Sequence, residues 1–408
     1  MVNAALLLCM LGLFISFNLS GFGFGIRIQA SDFIIPIMGI TALKQTSFKD
    51  TLKCFNTWVI PIIFTSILLM GLASHWLNFG AFNFWGIKKI IGWGICIGYF
   101  VIGLSLYEKR EKAMQALIVA SWIMGIVCLI AASITITRSY VVYADYPRLQ
   151  GFMGNPNAYG IFFVFTFILQ IALNSTLPYA KKTKTIGMII LSINLLGTSS
   201  RAAYGAFIIA CFVQALKIGQ LKRFLTATLC FFAVFFSALL FVVKSAFLKE
   251  NFHSIFHFFN GAKGLIETGL THSIEERLKA LLALKYAFFE HLIAGIGLGG
   301  AMTLNHAQEQ CTIHNTALWF LIEMGIIGFA AFVWFIYKLA TALRTSQDVY
   351  IKALTLPLLS FAIASLANEL FYQRYFWLLV GMITYDYSKR SHKETPFTLL
   401  KSNILPTS

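Results

Sequence analysis

The sequence predicts an all-α, polytopic membrane protein with about twelve transmembrane helices and one long non-cytoplasmic loop. Three observations predict this. Hydrophobic residues make up 58% of the 408 and charged residues 12%, with a mean hydropathy of +0.76, so polar surface is too scarce to cover a soluble globule. The apolar runs are of spanning length, roughly 17 to 25 residues, and not the roughly 10-residue alternating segments of a membrane barrel. Basic residues recur at every second connection, as the positive-inside rule requires of a multispan chain.

In chain order the spans fall at 3–19, 28–43, 54–74, 86–107, 114–137, 157–174, 184–198, 201–216, 222–243, 314–338, 349–366 and 371–387. The first lacks a basic leader and a small-residue cleavage site, and reads as a retained helix. The second, seventh and eighth are the short or weakly apolar ones. Lys44, Lys49 and Lys53 open the series of basic connections. It continues through Lys109, Arg110 and Lys112, then Lys181, Lys182 and Lys184, then Lys217, Lys222 and Arg223. Lys338, Arg344 and Lys352, then Lys389, Arg390 and Lys393, complete it. These connections and both termini are therefore expected in the cytoplasm. The formal charge of +16 marks topology and not nucleic-acid binding. With no internal repeat, 1–408 reads as a single transmembrane domain, with 244–313 as its long loop and 389–408 as a polar cytoplasmic tail.

Of the seven cysteines, only Cys311 falls in the long loop, where it has no partner for an intrachain disulfide. His253, His257, His272 and His291 show no ligand spacing such as His-Glu-x-x-His, so no metal and no cofactor are expected.

The non-cytoplasmic connections carry the chemistry. Arg201 follows Thr198-Ser199-Ser200 with almost no loop, which puts it in the first turn of the eighth helix with Ser199 or Ser200 as N-cap. Free backbone N–H groups, the positive end of the helix dipole and a guanidinium then converge, which makes an anion site. The bland alternative is an arginine snorkelling to headgroups, but the positive-inside rule disfavours it at this end. Arg277 lies in Ser273-Ile274-Glu275-Glu276-Arg277, where Ser273 and Glu276 form a capping box. The amphipathic helix so started repeats Leu278, Leu281, Leu282 and Tyr286 at helical spacing. An exposed salt bridge to Glu275 or Glu276 is the bland reading of Arg277. The run Gly295-Ile296-Gly297-Leu298-Gly299-Gly300 follows a helix, not a strand, and no Lys-Ser/Thr pair follows it, so it reads as a hinge and not a nucleotide loop.

His314 opens the tenth span, where a neutral imidazole suits a general base acting on a hydroxyl. A histidine satisfied by water is the bland reading of any one such residue. Glu323 lies about 180° around that helix, so it is a poor partner for His314 and is read as serving helix packing near Gly325 and Gly328. His306 and Glu309 precede His314 as possible orienters.

The order of motifs resembles a family. Arg148-Leu149-Gln150-Gly151-Phe152, Asn155-Pro156-Asn157-Ala158, Gly197-Thr198-Ser199-Ser200-Arg201, Glu276-Arg277-Leu278, the glycine run, and His314-Asn315 with Glu323-Met324-Gly325 together resemble the O-antigen ligase and polymerase superfamily of bacterial inner membranes. The resemblance spans about Arg148 to Gly381. It implies a helical fold of the C-type glycosyltransferase kind, with a periplasmic site and a donor glycan on undecaprenyl diphosphate. It further implies that Arg201 and Arg277 bind the diphosphate and that His314 activates the acceptor hydroxyl. Arg148, Asn155, Asn157 and Asn315 complete the expected substrate-binding set. Two charge-assisted contacts of about 1.5 to 3 kcal/mol each make metal-free, inverting transfer the expected mechanism. The lipid A core is the favoured acceptor, because only one outer loop is long; another glycan repeat or a protein side chain are the alternatives. Membrane lipid is an expected partner and nucleic acid is not. A lipid-linked glycan transporter is the rival class, and it calls for ionisable residues within the spans.

Overall fold

A computed structural model describes residues 4–18, 27–33, 55–81, 84–142, 148–217, 290–302 and 313–393. Within them the chain is mostly helical. The helices are α1 (Ala4–Gly12), α2 (Phe55–Phe79), α3 (Phe84–Leu106), α4 (Arg110–Ser133), α5 (Thr135–Val141) and α6 (Pro156–Ala172). They continue with α7 (Lys181–Thr198), α8 (Arg201–Lys217), α9 (Thr316–Thr345), α10 (Val349–Ala353), α11 (Thr355–Ser365) and α12 (Arg374–Lys393). A two-stranded antiparallel hairpin, β1 (Ser16–Asn18) with β2 (Arg27–Gln29), is the one sheet among the described residues.

Three helical stretches among the described residues are long and apolar enough to cross a membrane: Thr57–Phe79, Thr316–Thr345, and Phe84–Ser133, which is α3 and α4 run together through the turn Tyr107–Lys109. Pro156–Ala172, Arg201–Leu216 and Val349–Ser365 are shorter apolar helices.

The first two expected spans differ from the structure. Span 3–19 is helical only to Gly12, and β1 follows; the described part of span 28–43 is β2 and a single 3-10 turn, Ala30–Phe33. Hydropathy registers burial and not conformation, and here the burial comes from tertiary contacts. Ser31 is fully buried against Gly12 and Tyr99, while Asp32 pairs with Arg374 at 3.1 Å and accepts from the Tyr99 hydroxyl at 2.8 Å. Irregular backbone is tolerated at such depth when protein surrounds it. The ninth span, 222–243, lies outside the described residues, and the others fall on helices, the eleventh broken at Leu354 between α10 and α11.

Side-chain bonds sort the helix ends into two groups. At one end Arg110 pairs with Asp348, Tyr107 donates to Asp386 at 2.7 Å, Arg390 donates to Thr345 at 2.8 Å, and Lys389 meets Glu108 at 3.1 Å. This is the basic end. From it α4 and α9 run to the opposite end, 24 and 30 residues away, and there they deliver Arg148 and His314 respectively. Between the ends α3 and α12 cross so closely that a Cβ on Gly103 would strike the Leu378 carbonyl and one on Gly381 the Phe100 carbonyl. Small residues at such a crossing let helix backbones approach. Phe64, Trp93, Phe335, Phe371 and Trp377 interlock around it with edge-to-face and stacked rings.

Candidate functional site

At the end opposite Arg110, the chain from Arg148 to Asn157 is clasped against the α7–α8 turn. Leu149 N–H donates to the Gly197 carbonyl at 2.8 Å, which aligns the two segments. Arg148 then reaches across, its Nε donating to the Thr198 carbonyl and a terminal nitrogen to Asn157 Oδ1, both at 2.9 Å. A helix leaves its last carbonyls unpaired, and Arg148 satisfies one of α7's with a charged donor. Asn155 starts α6 by accepting from the backbone N–H of Asn157 and Ala158, with Pro156 at the first helical position.

The turn between α7 and α8 settles which serine caps which helix. Ser199, at φ +48°, is the left-handed C-cap of α7, so it is unavailable as the N-cap. Ser200 takes that place: its Oγ accepts from Ala203 N–H at 3.4 Å and donates to Asn157 Oδ1 at 3.0 Å, with the residue fully buried. Arg201 stands exposed in the first turn of α8. The structure therefore gathers Arg148, Asn155, Asn157 and Arg201 at one corner, where their surroundings differ. Arg148, Asn155 and Asn157 hold the corner together; Arg201 is the member whose side chain faces outward. An exposed guanidinium beside a capped helix N-terminus can bind an anion such as a phosphate.

His314 stands at the same end, half-buried, one residue before the N-cap of α9. The helix begins at Thr316 and not at His314. Asn315 is the cap, accepting from Leu318 N–H at 3.0 Å and donating to the Leu366 carbonyl at 2.8 Å. Both of these bonds fix the start of α9. The Thr316 hydroxyl donates to the Asn368 carbonyl and accepts from Leu370 N–H, each at 3.0 Å, so the turn 368–370 wraps around it. The two corners share α11, which packs against α6 and α8 and leads directly into that turn. Arg277, His306 and Glu309 lie outside the described residues.

Sequence reasoning passed over a buried ion cluster beneath His314. Glu323 is 1% exposed, and its Oε2 accepts from Gly299 N–H and Trp319 Nε1 at 2.8 Å and from Lys89 Nζ at 3.2 Å; Oε1 accepts from Lys89 at 3.3 Å. Lys89 also lies 3.7 Å from Glu369 and 4.4 Å above the Trp319 ring. Glu323 therefore does more than pack. The available signal was the lysine pair Lys88-Lys89 inside the 86–107 run and one glutamate inside the 314–338 run, opposite charges that two buried helices can only accommodate together.

The glycine run is not a hinge in this structure. Gly325 breaks α9 with φ +65° and ψ −163°, conformations open to glycine alone. The break orphans the Ile322 and Glu323 carbonyls and the Ile326 and Ile327 N–H groups. The segment 292–297 supplies every missing partner: Ile296 and Gly297 N–H donate to the two carbonyls at 3.0 Å, while the Leu292 and Ile293 carbonyls accept at 2.9 and 3.4 Å. Leu298 N–H reaches the Gly71 carbonyl at 2.8 Å and the Ser74 hydroxyl reaches the Gly295 carbonyl at 2.9 Å, so the strap is stitched into α2 as well.

No family profile matches the chain, and no curated protein is significantly similar to it.

Proposed function

We propose that the chain is a bacterial inner-membrane glycosyltransferase that moves a glycan from undecaprenyl diphosphate to a lipid A core sugar on the periplasmic face. In this reading it is a multispan protein with both termini cytoplasmic, and the basic end of the bundle is the cytoplasmic one. The observation that carries the reading is the placement of an exposed Arg201, on a capped helix N-terminus, at the same end of the bundle as His314. The ordered motifs that resemble the O-antigen ligases support it.

The chemistry is a displacement with inversion. The acceptor hydroxyl gives its proton to the His314 imidazole and its oxygen forms a bond to the anomeric carbon. The bond from that carbon to the diphosphate oxygen breaks, and the electron pair leaves with undecaprenyl diphosphate. Arg201, with Arg277 in the resemblance, stabilises the charge that develops there. The test is transfer by the purified chain in detergent, from a lipid-diphosphate glycan to lipid A core. Arg201→Ala and His314→Ala should each abolish it while protein yield is unchanged; full activity in either variant removes that residue from the mechanism. If glycan repeats are the acceptor that works, the chain is a polymerase, and if a protein is, an oligosaccharyltransferase.

A second reading has a specific observation in its favour. A broken helix and ion pairs buried within the bundle, Lys89–Glu323 and Asp32–Arg374, are features of transporters of lipid-linked glycans. Detergent solution separates the two, since transfer proceeds there and transport has no meaning without a sealed bilayer.

A further inference from the structure

Lys89, Glu323 and Glu369 bring one ammonium and two carboxylates together beneath the first turns of α9. The two carboxylates are held very differently. Glu323 is enclosed, and donors point at both of its oxygens. Glu369 is 23% exposed and faces Lys89 at 3.7 Å, too far for a strong hydrogen bond. If both carboxylates are charged, the cluster carries an uncompensated negative charge in a site with little water to screen it. A proton on the looser carboxylate removes that charge.

The position of Glu369 gives the proton a purpose. Its neighbours Asn368 and Leu370 both bond the Thr316 hydroxyl, two residues beyond His314. We propose that the Lys89–Glu323–Glu369 cluster binds one exchangeable proton on Glu369, and that this carboxylate receives the proton His314 takes from the acceptor hydroxyl. The second half rests on the glycosyl-transfer reading; the first does not. The relay runs from the carboxylate form: Glu369 first gives its resting proton to water, then the imidazolium N–H bond breaks and a carboxyl O–H bond forms on Glu369, and that proton leaves to water in turn, which regenerates both groups.

The surroundings favour Glu369 as the titrating member. Burial raises its carboxyl above the ordinary glutamate range; Lys89 opposes this and the Glu323 charge adds to it. Among the described residues, the other ionisable groups nearby are engaged elsewhere or stand off. Tyr372, in the turn just before α12, stands between Glu369 and Arg374 in the chain, and its buried hydroxyl has no hydrogen-bond partner among the described residues. His75 of α2 sits behind the glycine strap, its Nδ1 bonded to the Ala81 carbonyl. Lys88 turns away to lie over Phe84 and Trp85.

Infrared difference spectra of the purified full chain, recorded across a pH titration, test the proton site without any substrate. Wild type should show a protonated-carboxyl band that disappears on alkalinisation, with a midpoint above the ordinary glutamate range. Glu369→Gln should remove the band, Glu369→Asp should shift its frequency, and Lys89→Met should move its midpoint upward. A band indifferent to both Glu369 variants overturns the site; the Asp variant carries this test even if the Gln variant fails to fold. In the transfer assay, Glu369→Gln should cut kcat more than tenfold with KM little changed and erase the acid limb of the pH profile. A Glu369→Gln profile matching wild type at every pH overturns the relay and leaves the proton site to the spectra. Absence of transfer by wild type itself refutes the transferase reading and not the proton site.

Discussion

Replacing Gly295 with alanine probes the stitched break in α9 most directly. Gly295 has φ +71°, and a Cβ there would lie 2.5 Å from the Glu323 carbonyl carbon and from the backbone nitrogens of Met324 and Gly325. These are backbone atoms in a packed helix and cannot rotate away, so the strap itself must retreat, by roughly 1 Å to reach ordinary contact. That displacement lengthens the four bonds between 292–297 and the break, two of which are at 3.0 Å, beyond useful range. At about 1 kcal/mol net per bond, plus about 1 kcal/mol for a left-handed alanine, the loss comes to about 4 to 5 kcal/mol. Gly205, in the middle of α8 with open space where its Cβ would be, is the control; alanine there should stabilise by up to about 1 kcal/mol. Unfolding in mild detergent titrated with SDS, followed by helical circular dichroism, gives both values. A Gly295→Ala protein within about 1 kcal/mol of wild type would show that the strap yields easily and that its bonds to the break contribute little.

The corner at Arg148 separates structure from binding. Arg148→Ala should cost about 3 kcal/mol, from two bonds made by a charged donor; Arg148→Lys should not rescue it, because an ammonium cannot span the Thr198 carbonyl and Asn157 as the planar fork does. Arg201→Ala, at an exposed position, should leave stability within about 0.5 kcal/mol of wild type, and an equal loss in both variants would contradict the division of labour drawn between them. At the basic end, burial raises the Asp348 carboxyl, but the Arg110 bond and the N–H groups of Ile351 and Tyr350 outweigh it and hold the group below the ordinary aspartate range. A carboxyl depressed in the folded state adds stability that is complete above its unfolded value and is lost as pH falls through the folded one. Melting temperatures between pH 7 and pH 3 should therefore fall less steeply for Asp348→Asn than for wild type, and parallel slopes would show that Asp348 is not coupled to folding.

Much of the bundle is legible in the apolar runs because burial along a helix leaves a long, unbroken signal. The runs fail where burial comes from tertiary contact instead. Nothing local distinguishes Ile28 to Phe33 from a helix start; what decides its conformation is Arg374 and Tyr99, hundreds and tens of residues away. The serine pair shows the same limit on a smaller scale. Sequence places a cap at Ser199 or Ser200, and only the left-handed φ of Ser199 assigns them. The placement of Arg201 in the first turn of a capped helix is legible because it depends on adjacent residues alone. The bonds made by Arg148, Asn155, Asn157 and Asn315 were not legible, since a conspicuous polar residue beside a helix start looks the same whether it caps, clasps or binds.

The break in α9 and the ion cluster are one arrangement, and their union bears on how His314 is held. Glu323 lies two residues before Gly325, so its carbonyl is orphaned by the break while its carboxylate takes the Gly299 N–H from the same strap. Loss of the strap would leave the carbonyl buried without its partner and take one of the donors from the carboxylate, which keeps Trp319 and Lys89, so break and charge are coupled. Upstream, the first turns of α9 are fastened to the 366–370 turn through Asn315 and Thr316, and to α3 through Lys89. His314 is thus anchored to a block that includes the start of α3 and the end of α11, whereas Arg201 belongs to the clasp of α6, α7 and α8. The separation between His314 and Arg201 is consequently governed by how α11 packs on α6 and α8.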